Sequence, residues 1–183
     1  RALCLSKDII ETRAFDEGNC NNFAVASSNK YLNGPYLDNL VDACNGANAF
    51  LESELDLTTD DGLKDYGTCT VTIFLLTVDQ YRRNRDVIPN ADDWWWLSTA
   101  FSTKSNGYES LARGVGSDGT LYGNSACGGR YGLRPACNLS SDLLISDSVD
   151  SDGCYTVIYN QAPTAPSSIT VPSEVLGGEN LSI

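Results

Sequence analysis

GLRPACNL, residues 132–139, is the stretch on which the fold turns. Pro135 fixes one backbone angle and removes a donor, so this octet suits a single place in a framework. The residues before it, YGNSACGGRY at 122–131, read differently. They show neither the alternation of a strand nor the periodicity of a helix. A patternless segment thus lies directly against a specific one.

Working outward, residues 94–139 form a compositional island. It holds four basic residues (Lys104, Arg113, Arg130, Arg134) against two acidic ones (Glu109, Asp118), all three tryptophans and half of the glycines. The island is therefore weakly basic within a chain of 183 residues whose formal net charge is −12. That balance argues against nucleic acid as a partner, because phosphate binding requires clustered Lys and Arg. A hydrophobic content of 42% suffices for one ordinary core. No apolar run is long enough to insert in a membrane. Met is absent, so Arg1 is not a translation start and the sequence leaves the compartment open.

His is absent as well. Its absence removes Ser-His-Asp and Cys-His catalysis and the HExxH zinc site, and no catalytic residue is assigned. The seven cysteines (4, 20, 44, 69, 127, 137, 154) include no CxxC pair, so no metal ligands and no cofactor are assigned. They read as small apolar residues, except Cys127 in its polar Gly-rich surroundings.

Along the chain, ALCLS (2–6) suits a buried strand and TRAF continues the sheet after a break. A helix is expected from about Ser27, with Ser27 or Ser28 as N-cap. Gly34-Pro35 interrupts it, and a second helix begins near Pro35 with Tyr36, Leu37, Leu40, Val41 and Cys44 on one face. CTVTIFLLTV (69–78) reads as a central strand buried on both faces, and the polar run 79–93 as a connection. WWWL and LARGV are short strands, Ser117-Asp118-Gly119-Thr120 is a hairpin turn, and CYTVIY (154–159) is a further strand. After Asn160 a Pro/Ser linker leads into SITVP and LSI around a Gly-Gly turn, the truncated start of an immunoglobulin-like or fibronectin-type module over 160–183.

The order WWWLS, SDGT, GLRPACNL resembles the bacterial and phage family of C-type-lectin-like domains patterned WWLRS, SDG, GVRPALNL. LCLSKDIIETRAF, SSNKYLNGPYLDNL and TIFLLTVDQY extend the resemblance over residues 2–146. Ser98 stands where that family commonly has Arg. The resemblance implies an α+β fold over residues 1–159, with short twisted antiparallel strands, two helices and an irregular, loop-rich C-terminal half. Several members of the family are variable proteins of diversity-generating retroelements, in which a reverse transcriptase mutates template adenines. The resulting NNC codons encode no Lys, Glu, Gln, Met or Trp, and residues 120–131 contain none of these.

On this resemblance, residues 98–131 form a ligand-binding surface. Its members would be Ser98, Phe101, Lys104, Tyr108, Ser110, Gly114, Gly116, Tyr122, Gly123, Ser125, Cys127, Gly128, Gly129, Arg130 and Tyr131. Tyrosines offer large contact area at low rotamer cost, while Ser, Asn and Gly adapt. Arg134 would belong to the frame, held by an acidic partner. Of Trp94, Trp95 and Trp96, two pack inward with Trp95 outward or against the first helix. A carbohydrate-stacking role for them is the sharper alternative.

DSVDSDG (147–153) lacks the spacing of a calcium loop and reads as a solvated turn. The sugar-binding signatures of calcium-dependent lectins are absent, so the fold does not imply sugar binding. The expected partner is a macromolecule, protein or glycan, on a cell surface, with an oligomer left open. Localisation follows as a phage tail or a bacterial cell surface. Alternatives are a fixed-specificity adhesin, a structural tail module, or a formylglycine-generating-type oxidase. The last needs a paired-cysteine site that no spacing here suggests.

Overall fold

The computed structural model describes residues 1–43, 49–141 and 143–158. The chain divides into two units, Arg1–Leu143 and Leu144–Ile183. The first is α+β. In chain order it comprises β1 (Ala2–Leu5), β2 (Glu11–Arg13), α1 (Ser27–Tyr31), α2 (Leu37–Ala43), β3 (Phe50–Leu51), β4 (Ser53–Asp56) and β5 (Thr68–Val71). Then follow β6 (Ile73–Phe74), α3 (Val78–Arg83), β7 (Trp95–Ala100), β8 (Leu111–Val115), β9 (Leu121–Ser125), β10 (Tyr131–Leu133) and β11 (Ala136–Leu139).

A five-stranded sheet runs β2-β10-β7-β8-β9, with β10 parallel to β7 and the other neighbours antiparallel. The register of β7 on β8 shifts between Trp96 and Ala100. In the second sheet β11 lies between β1 and the short strands β3 and β6. β4 and β5 pair separately. GLRPACNL thus spans both sheets: Gly132 and Leu133 end β10, Pro135 breaks the strand, and Ala136 starts β11 in the other sheet. A residue without an N–H at that crossing costs no ladder bond.

Trp95 and Trp96 are both buried. Neighbours on a strand do face opposite ways, but both faces of this sheet are covered. Trp95 meets Tyr81 of α3 edge-on at 5.6 Å, and Trp96 meets Phe15 at 5.8 Å on the other face. The indole N–H of Trp96 donates to the Arg13 carbonyl at 2.9 Å. The outward tryptophan is therefore Trp94, which corrects the expectation for Trp95.

Three further expectations are corrected. Residues 69–78 are not one strand: β5 pairs with β4, β6 with β11, and Val78 already opens α3. Asn33 causes the break at Thr72. Its Oδ1 accepts from the N–H groups of Thr72 and Ile73 at 2.9 and 3.0 Å, and its Nδ2 donates to Ile73 O at 2.7 Å, taking the place of a neighbouring strand. The polar run 79–93 contains most of α3, whose capping box, Thr77 with Gln80, is a signature readable in the sequence. At α1 the N-cap is Ala26, not Ser27 or Ser28. Asp16 Oδ1 accepts from the Ser27 N–H at 2.9 Å instead, while the Ser27 hydroxyl accepts from the Glu17 N–H at 3.0 Å.

The interruption expected at Gly34-Pro35 is present. Asn33 and Gly34 leave helical geometry inside a π-type turn, Leu32–Tyr36, before α2 resumes with Tyr36, Leu37, Leu40 and Val41 half-buried on one side. Cys44 lies outside the described residues.

In the second unit, β12 (Leu144–Ile145) pairs antiparallel with β13 (Val157–Ile158). Between them Asp150 Oδ1 accepts from the N–H groups of Asp152 and Cys154, both at 2.9 Å, closing a turn. The immunoglobulin-like reading of 160–183 lies outside the described residues.

Candidate binding surface

Gly132, Leu133, Arg134, Pro135 and Ala136 are all buried. Arg134 is 1% exposed and, contrary to expectation, its guanidinium is held by backbone carbonyls, with no carboxylate paired to it among the described residues. Its Nε donates to Ser6 O at 2.9 Å, Nη1 to Pro89 O at 3.0 Å and Nη2 to Lys7 O at 3.1 Å, with the guanidinium 5.3 Å from the Trp95 ring centre. The planar fork of Arg suits three acceptors from two segments at once. Burial lowers its pKa, and the nearby Asp8 works the other way.

Upstream of the frame the chain comes to the surface. Much of 122–131 is strand after all: β9 is the edge of the five-stranded sheet, and its hidden pattern reflects exposure at Tyr122 and Gly123 together. On one face Tyr122 packs on Trp94 at 4.4 Å, Trp94 on Tyr131 at 5.3 Å, and Tyr131 on buried Trp96 at 4.4 Å. Pairs at these separations add to what area burial alone supplies. The Tyr131 hydroxyl accepts from Asn124 Nδ2 at 2.7 Å. Gly114 and Gly116 make room for this row, since a Cβ would come within 3.2 Å of the Tyr131 ring and 3.1 Å of the Tyr122 ring.

On the opposite face Phe101 meets Tyr108 edge-on at 5.3 Å, and the Arg113 guanidinium lies 4.8 Å from the Phe101 ring centre. Arg113 is held by a close ion pair with Asp60, which also takes Arg82 at 3.1 Å. The hairpin turn between β8 and β9 is docked on α3. Tyr81 donates its hydroxyl to Gly119 O at 2.7 Å, and Gly119 has φ +81°, which favours Gly.

Beneath both loops runs the segment 16–21. Asp16 N donates to Ala126 O at 3.0 Å, and Asn21 N donates to Glu109 O at 2.8 Å. Asn19, itself left-handed at φ 61°, accepts at Oδ1 from the Ser125 hydroxyl at 2.9 Å and from the Cys127 N–H at 3.2 Å. Asn21 is fully buried, and its Nδ2 lies 2.8 Å from the carbonyls of Ser102, Tyr108 and Leu111. Its Oδ1 accepts from the Tyr66 hydroxyl at 2.7 Å. Burial pushes the Tyr66 phenol up to about 12, which keeps it a donor.

A second, acidic tie holds the 102–106 turn. Hydrogen bonds from Thr59 and Asn106, among others, hold the Asp61 carboxyl below its ordinary value, and bonds from Ser105 and Thr103 do so for Asp65. Such bonds favour the charged form, so the folded values lie below the unfolded ones. The stability they contribute is present above the ordinary aspartate range and is lost as pH falls through the folded values. Urea midpoints taken between about pH 5 and about pH 2 should fall, and Asp61→Asn with Asp65→Asn should flatten that fall. An unchanged acid limb in the double variant would contradict the tie.

Of the residues expected on the surface, Lys104, Tyr108, Tyr122, Gly123, Cys127, Gly128 and Arg130 are exposed, and Phe101, Ser110, Ser125 and Tyr131 are half-buried. Ser98, Gly114, Gly116 and Gly129 are buried, which corrects their placement. Ser98 is 2% exposed and its hydroxyl has no hydrogen-bond partner among the described residues. Trp94, Asn19 and Asn21 are part of the arrangement but were not singled out for it. Alternation points to Trp95 as the outward residue and so hides Trp94, and only long-range contacts reveal the asparagines.

No curated protein and no solved structure matches the chain. Residues 46–141, which run from just before β3 to just past β11 and include Trp94, the hairpin and GLRPACNL, match the model of a family described as Domain of unknown function (DUF6273). That match spans more than half of the sequence, and the chain belongs to the DUF6273 family.

Proposed function

We propose that the chain is a binding protein of C-type-lectin-like fold. It presents residues 101–131 to a macromolecule, protein or glycan, on a cell surface. The observation that carries this reading is the change across Tyr131, from mostly exposed residues at 122–130 to buried ones at 132–136. Support also comes from the aromatic row Tyr122–Trp94–Tyr131, whose rigid, amphipathic side chains resemble those that anchor antibody-type surfaces. The surface is assigned no catalytic group, metal or cofactor. A phage tail protein diversified by a retroelement is the reading we favour, and a bacterial adhesin of fixed specificity is the alternative.

Binding of the labelled chain to a panel of bacterial cells tests this. Trp94→Ala and Tyr122→Ala should each weaken binding by about tenfold or more, as central aromatic anchors do. Val87→Ala, at an exposed position outside the surface, should leave it unchanged. Equal binding by all three variants would sink the assignment. Diversification has its own test, sequencing of the gene and its flanking DNA for a near-copy of codons 98–132. Substitutions confined to template adenines support it, and a uniform gene without a repeat removes it.

A further inference from the structure

We infer that Cys4 and Cys137 form a redox pair that closes to a disulfide, stapling β1 to β11. The two residues are directly opposite each other in the antiparallel register of these strands. Ser6 N donates to Pro135 O at 2.8 Å, so the pair two positions along is again a hydrogen-bonded one. In such a pair the Cα atoms lie about 5.5 Å apart, inside the range of about 4.4–6.8 Å that disulfides occupy.

Opposed residues on neighbouring strands share a face, and both cysteines line one cleft of about 240 Å³ with Tyr36, Leu40 and Phe50. A small oxidant can therefore reach them. Among the described strand residues no other cysteine faces a cysteine: Cys69 on β5 is opposite Leu55. The 133-residue separation explains why no spacing motif announced the pair.

The oxidant is a small disulfide such as oxidised glutathione. One cysteine thiolate attacks a glutathione sulfur and expels glutathione thiolate, leaving a mixed disulfide. The second thiolate attacks the protein-bound sulfur and expels the other glutathione. Two protein thiols become one disulfide as one external disulfide becomes two thiols, so electrons balance. Side chains at a hydrogen-bonded pair must draw together slightly to bond, which puts the bond among the more reducible ones. Burial raises the Cys4 thiol, so the rate should climb with pH as thiolate appears.

The test incubates the full chain with oxidised glutathione, alkylates the remaining thiols and maps the peptides by mass spectrometry. The expected product is a Cys4–Cys137 cross-linked peptide that dithiothreitol reverses. The oxidised chain should also melt roughly 5–10 °C higher, because the staple encloses most of the first unit. Cys4→Ala and Cys137→Ala should each abolish that shift. If both residues stay alkylatable, or end as stable glutathione adducts, the inference is overturned.

Discussion

Replacing Arg134 with Met should lower stability by about 3–5 kcal/mol, measured as a shift in urea unfolding at constant slope. Met fills much of the volume, so the loss reflects the acceptors left behind. The carbonyls of Ser6, Lys7 and Pro89 would all lose the donor that a buried side chain brings to them. Two otherwise separate segments, at 6–7 and 89, would lose their common tie to the β10–β11 crossing. Arg134→Lys should recover little, because a single ammonium does not reproduce the fork. A loss under about 1 kcal/mol for Met would mean that the carbonyls find other donors and that Arg134 does not key the frame.

Asn21→Ala should cost about 2–4 kcal/mol and should loosen the display surface as well as the core. The substitution removes the donor shared by the carbonyls of Ser102, Tyr108 and Leu111 and the acceptor of the Tyr66 hydroxyl. Amide hydrogen exchange should therefore rise in 102–111 more than in β10 and β11. Uniform exchange across the unit would show that Asn21 contributes to global stability without buttressing the loop.

These two residues also show what the sequence discloses. Arg134 sits in an octet whose Pro and Gly mark a special backbone path, so its framework role was legible, though its acceptors were not. An acidic partner is the ordinary expectation for a buried Arg, and only the folded chain brings three carbonyls to it. Asn21 sits in the polar stretch DEGNCNN (16–22), which carries no motif, and its acceptors are more than 80 residues away. The WWWLS strand, LARGV and the Asp-Gly hairpin were readable because local pattern and turn chemistry agree. The region 69–78 reads as one strand because the continuously buried run Ile73–Leu76 hides periodicity. The side chain of Asn33, remote in sequence, ends the ladder there.

The surface reading depends on the same division. Tyr122 and Gly123 share exposure because β9 is an edge strand and neither of its faces is fully covered. Gly132, one residue beyond Tyr131, has no such freedom. A Cβ there would lie 2.5 Å from Ile9 Cγ2.

The most direct test of this division is a saturation library over positions 122–136, sorted for folded chains by protease resistance. The account predicts that positions 123, 127, 128 and 130 accept most residue types, with stability effects within about 0.5 kcal/mol. Positions 132–136 should accept few. Equal intolerance on both sides of Tyr131 would contradict it, because 122–130 would then be part of the frame and not a surface carried by it.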